Sequence, residues 1–194
     1  MYSIIYKLSR AMAYLGGVML TFLIVLTTAS IVGRSLNGVL HADAVVSLMP
    51  DLARWLIDVG IGPINGDFEL IEAGVAFSIF AFLPLCQLTG GHASVDIFTS
   101  RLSSRANRIL QMLIDILFAA VLVLIAIQLF AGMQSKLRSG QTSLLLEFPV
   151  WWGYALCMFG AATGAVVSVY IAVLCIASAA TGQEYLPAMD GADH

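Results

Sequence analysis

Ala11 to Gly33 holds no charged residue, and three further apolar runs follow at about Phe68–Gly90, Ile109–Met133 and Val150–Ala180. A helix needs about 20 apolar residues to cross the hydrocarbon core of a bilayer. A helix also satisfies its own backbone hydrogen bonds, which lipid demands. The chain therefore reads as an all-α membrane protein with four transmembrane helices in one membrane domain. Charged residues make up 11% of the 194, against about 25% in a soluble domain, so most of the chain is solvated by lipid. No soluble-looking block exceeds roughly 35 residues, which leaves little room for a catalytic domain. The first run is longer than the usual leader core of about 7–15 residues and reads as a retained helix. The fourth exceeds what a bilayer needs and should tilt or project into water.

The formal charge of −3 and the lack of a basic run argue against a nucleic-acid partner. Cys86, Cys157 and Cys175 all fall inside apolar runs and read as small buried hydrophobes. Between the first two spans, Leu52, Trp55, Leu56 and Val59 recur at helical spacing, with Asp51, Arg54 and Asp58 on the other face. Pro50 suits a first helical turn, and Gly60, Gly62 and Pro63 break the pattern afterwards. The segment of about 50–59 is thus a short amphipathic helix. It either lies at the membrane interface or packs on its own bundle. Lys7, Arg10, Arg101, Arg105 and Arg108 stand on one side of the membrane, against Arg34, Arg54, Lys136 and Arg138 on the other. The cluster in the short second connection sets the expected orientation, with both termini cytoplasmic. Trp151 and Trp152 then belong to the outer aromatic belt.

Polar groups in or beside a span default to function or assembly. Glu69 and Glu72 share one face at the start of the second span. Glu69 suits the helix dipole there, while Glu72 lies deeper and could pair with Arg34. His92 and Asp96 are four apart and would share a helical face. The other internal histidine, His41, lies across the membrane, so a metal or haem site lacks a ligand set. His92 and Asp96 more simply bond to the Gly90-Gly91 turn or to a partner chain. Asp115 sits well inside the third span, one turn from Gln111. It could bond to Gln111, to another helix or to a partner subunit, or bind a proton or ion. Gly160 and Gly164 form a GxxxG motif extended by Gly153, Ser168 and Ala172, which lets a helix approach closely. There is no phosphate loop, nucleophile triad or ligand cluster, so the chain is not expected to be an enzyme.

Three blocks, in order, resemble the small membrane subunit (DctQ-like) of tripartite ATP-independent periplasmic, or TRAP, transporters. They are GDFELIE at Gly66–Glu72, leading to Phe82-Leu83-Pro84 and Gln87-Leu88; GGHASVDIF at Gly90–Phe98; and SGQTSLLLEFPVWWGYALCMFG at Ser139–Gly160. The resemblance implies a non-catalytic scaffold beside a large subunit that carries substrate and sodium on about twelve helices. It also implies a periplasmic binding protein that delivers an organic acid, a bacterial inner-membrane location, and no cofactor in this subunit. Glu72, His92, Asp96, Gly140, Ser143, Pro149 and Trp152 carry over as structural or interface positions. The connection from Arg34 to Asp67 is longer than the family pattern. Rival readings are a four-helix proton-coupled exporter using Asp115, a haem or quinone anchor, and a generic membrane scaffold.

Overall fold

Four helices among the described residues are long and apolar enough to cross a membrane. The structure, a computed structural model, describes residues 2–91 and 103–181. Its helices are α1 (Tyr2–Leu40), α2 (Asp43–Leu48), α3 (Pro50–Asp58), α4 (Asp67–Thr89), α5 (Ser104–Ser139) and α6 (Trp151–Thr181). The spans outrun their apolar windows. At 1.5 Å per residue, the 39 residues of α1 reach about 58 Å. The window from Ala11 to Gly33 marks what hydrocarbon can hold. The backbone ladder continues past it through Lys7, Arg10 and Arg34, where water can solvate the charges. The 36 residues of α5 likewise extend beyond the window from Ile109 to Met133. The short helix α2 carries no periodic signal long enough to read from sequence.

The spans pack as a row rather than a closed square. α1 lies against α4, α4 against α6, and α6 against α5. The two inner members differ from the outer ones as this predicts. Of each apolar window, 56% is buried in α6 and 28% in α4, against 17% in α1 and in α5, which therefore present most of their surface outward. The α1–α4 seam centres on Met12, Phe77 and Ala81, with Met19 against them. Leu88, Val167 and Ile171 join α4 to α6 at the opposite end from Gly66, with Ile5 of α1 packed alongside.

The α4–α6 seam uses the small residues of α6. A Cβ at Gly160 would lie 2.8 Å from the Cβ of Phe80 and 3.0 Å from its carbonyl carbon. Gly153 faces Ala73, and Gly164 faces Leu83. Ser168 and Ala172 are buried further along the same helix. The GxxxG surface is thus spent on α4 of the same chain. Pro84 is buried in α4 and cannot donate to the Phe80 carbonyl, so the ladder is interrupted at the turn onto which Gly160 backs.

α3 packs on its own bundle, as one of the two readings of the amphipathic segment expects. Ala53 is buried, and Leu56 and Ile57 are half-buried, where α3 rests on α1. Leu52, Trp55 and Val59, next on the wheel, remain exposed. Its apolar arc is wide enough to cover the bundle and still leave a strip of aromatic and aliphatic surface outward.

Candidate subunit-docking site at the Gly66 end of the bundle

The connection into α4 is tied back to α1 by a buried carboxylate. Gly66 adopts φ 78, a left-handed turn that suits glycine, and this turn aims Asp67 inward. Asp67 is 6% exposed, so its charge needs partners. The Ser30 hydroxyl donates to one carboxylate oxygen, and the Phe68 backbone N–H donates to the other at 2.8 Å. Arg34 adds an ion pair at 3.7 Å and lies over the Phe68 ring, 5.8 Å from its centre. Arg34 thus reaches Asp67, not Glu72. The left-handed turn brings Asp67 back beside α1, while Glu72 faces away along α4. Asn37 donates to the Ile61 carbonyl at 3.1 Å, and fixes the same connection one step earlier.

Glu69, two residues on, holds a different element. The segment between α5 and α6 begins at Gly140, whose φ of 63 ends α5. Thr142 and Pro149 form an antiparallel bridge, Ser143 N–H donates to the Phe148 carbonyl at 2.9 Å, and Val150 N–H donates to the Gln141 carbonyl at 3.0 Å. The tip of this hairpin-like loop turns back over α4. There the Glu69 carboxylate accepts from Leu145 N–H at 2.8 Å and from Leu146 N–H at 3.0 Å, with the Ser143 hydroxyl beside it. Leu146 closes against Gly66, where any side chain would collide with it. The loop hands on to α6 through Trp152 N–H, which donates to the Pro149 carbonyl at 3.1 Å. Trp151 and Trp152 meet edge to face, and Trp152 is half-exposed.

The first and third sequence blocks, separated by about seventy residues, therefore meet in one place. Gly140, Ser143, Pro149 and Trp152 build the loop, and Glu69 of the first block clamps it. Glu72 lies just below, exposed, with no hydrogen-bond or ionic partner among the described residues. His92 and Asp96 lie outside the described residues. Sequence reasoning gave Glu69 only a helix-dipole role and assigned none to Asp67 or Ser30. The only local signal was the density of acids at 67, 69 and 72, which a helix dipole already explains.

A second polar node lies near the other end. Asp115 is 4% exposed and draws on three helices. Gln111 donates to it from α5 at 3.4 Å, Gln87 from α4 at 3.5 Å, and the Cys175 thiol from α6 at 3.1 Å. Cys175 therefore does more than fill space. These contacts are worth about 0.6 kcal/mol each on average inside a membrane, and at most about 1.7. Asp115→Leu should lower stability by about 2 kcal/mol, and Gln87→Leu by less than half as much. The two changes should be less than additive, since they remove a shared contact. Unfolding midpoints in detergent measure this, and full additivity would mean that the node does not couple α4 to α5.

Among the described residues no group of three histidine, cysteine or acidic side chains could hold a metal ion. Among known families, the model for "Tripartite ATP-independent periplasmic transporters, DctQ component" matches residues 52–178. The chain belongs to the DctQ family. No curated protein and no solved structure matches it. The DctQ match starts inside α3 and runs nearly to the end of α6, so it takes in both the Glu69 clamp and the Asp115 node. α1 and α2 fall outside it. Membership makes this a small permease subunit of a TRAP transporter, with multiple membrane-spanning helices.

Proposed function

We propose that this chain scaffolds the large transport subunit during sodium-coupled uptake of an organic acid delivered by a periplasmic binding protein. The complex sits in the bacterial inner membrane. Both termini are cytoplasmic, and the Glu69 clamp faces the periplasm. The observation that carries the reading is where the polar groups go. Asp67, Glu69 and Asp115 are spent on joining elements of the chain to one another. Substrate and sodium sites generally use discontinuous helices near the midplane. The only internal break among the described spans is the one at Pro84, and it is buried against α6. The large subunit therefore carries substrate and sodium, and this one braces it.

The chain, expressed with a large hydrophobic subunit encoded beside it, should purify with that subunit in roughly equal amount. Vesicles need both chains, a sodium gradient and the binding protein before they accumulate an organic acid. Uptake by vesicles holding this chain alone would overturn the scaffold role and favour the exporter reading.

A further inference from the structure

We propose that the groove between α4 and α5 receives a membrane helix of the large subunit, whose lysine or arginine pairs with Glu72. The inference rests on the scaffold reading and adds the place and the chemistry of contact. α4 and α5 both pack on α6 and hardly on each other. At one end Gln87 and Asp115 draw them together. Toward the Gly66 end they splay and leave a groove of about 510 Å³. Its walls are Ala76 and Phe80 of α4 and Leu129 of α5, its floor is Gly153 and Tyr154 of α6, and the clamped loop closes its end.

Charge selects the occupant, and the open groove admits it. The groove is open along its side rather than closed over, so an occupant enters it laterally. The groove therefore accepts the side chains along one face of a passing helix. Ala76 of α4 lets that helix come close, as association in lipid requires. Glu72 sits at the mouth, exposed and without a partner among the described residues, beside exposed Phe68 and Val75. An acid left facing lipid is unfavourable, and a basic side chain from the incoming helix removes that cost. Glu69, already engaged by the loop, is not available for this role.

The test uses the complete transporter. Glu72→Lys should reduce the amount of large subunit that purifies with this chain by about tenfold. Ala76→Trp, which fills the groove without touching the charge, should do the same. Each variant chain purified alone should keep the parental unfolding midpoint, because Glu72 is exposed and Ala76 borders open space. Changing lysines and arginines of the large subunit's membrane helices to glutamate, one at a time, should yield one position that restores co-purification with Glu72→Lys. Parental recovery of the large subunit with both variants would overturn the proposal while leaving the scaffold reading intact. Failure of the unmodified chain to bring the large subunit down would instead overturn that reading. Loss of a bound phospholipid from Glu72→Lys, seen by native mass spectrometry with recovery of the large subunit unchanged, would assign the groove to lipid and also overturn the proposal.

Discussion

Gly160→Ala should lower the unfolding midpoint of the chain sharply, and Gly160→Leu should leave little monodisperse protein. The added Cβ would meet Phe80 Cβ at 2.8 Å, Phe80 carbonyl carbon at 3.0 Å and Ala81 nitrogen at 3.2 Å. Two of those three neighbours are backbone, which cannot rotate away. The helices must separate, and they separate at the seam that joins the two inner members of the row. Overfilling a packed interior costs about 1–3 kcal/mol for a small group and more for a large one. The second glycine of the motif supplies the control. At Gly164 the nearest atoms to a new Cβ are at 3.8 to 4.0 Å, which is ordinary contact. Gly164→Ala should stay within about 0.5 kcal/mol of the parent. Thermal unfolding in detergent, followed by size-exclusion profile, compares the two. Equal behaviour of the two alanine variants would show that the α4–α6 approach is looser than the structure has it.

The four spans are legible in the sequence because lipid enforces a single rule on them. A run such as Ala11–Gly33 has no solution but a helix, whatever its neighbours do. Partner choice is not legible in that way. GxxxG at Gly160 announces a close approach, yet only the fold says that Phe80 is what approaches. Three acids at 67, 69 and 72 look alike on paper. The left-handed turn at Gly66 buries the first beside Ser30 and Arg34, the loop takes the second, and the third stays exposed. The pairing of Arg34 with Glu72 was the natural guess from depth alone. It fails because a turn, rather than depth, decides which acid faces α1. The Glu69 clamp joins residues 76 and 77 apart in the chain, and no periodicity carries that information. α3 was ambiguous because its apolar arc is wider than either reading needed.

Removing the Glu69 carboxylate should free the tip of the loop without unfolding the bundle. Leu144 is 94% exposed and Leu145 is 64% exposed, so no core holds the tip in place. What holds it is the Thr142–Pro149 bridge at its base, the carboxylate at its end and the contact of Leu146 with Gly66. Glu69→Ala deletes both acceptors. Glu69→Gln turns one oxygen into an N–H group that must face another N–H, and so should behave nearly as badly. Local opening exposes amides in proportion to its equilibrium constant. Hydrogen exchange at Leu145 and Leu146 should accelerate by about tenfold in both variants, whereas amides along the α4–α6 seam keep their parental rates. A merely electrostatic role at the helix start would predict the reverse pattern, with α4 fraying and the loop unchanged. The clamp also closes the end of the groove below it. Glu69→Ala should therefore weaken recovery of the large subunit less than Glu72→Lys does, because it loosens a wall rather than removing the charge. A loop that exchanges at the parental rate in Glu69→Ala would mean that the bridge and the Leu146 contact set its shape, and that the two sequence blocks meet without depending on the carboxylate.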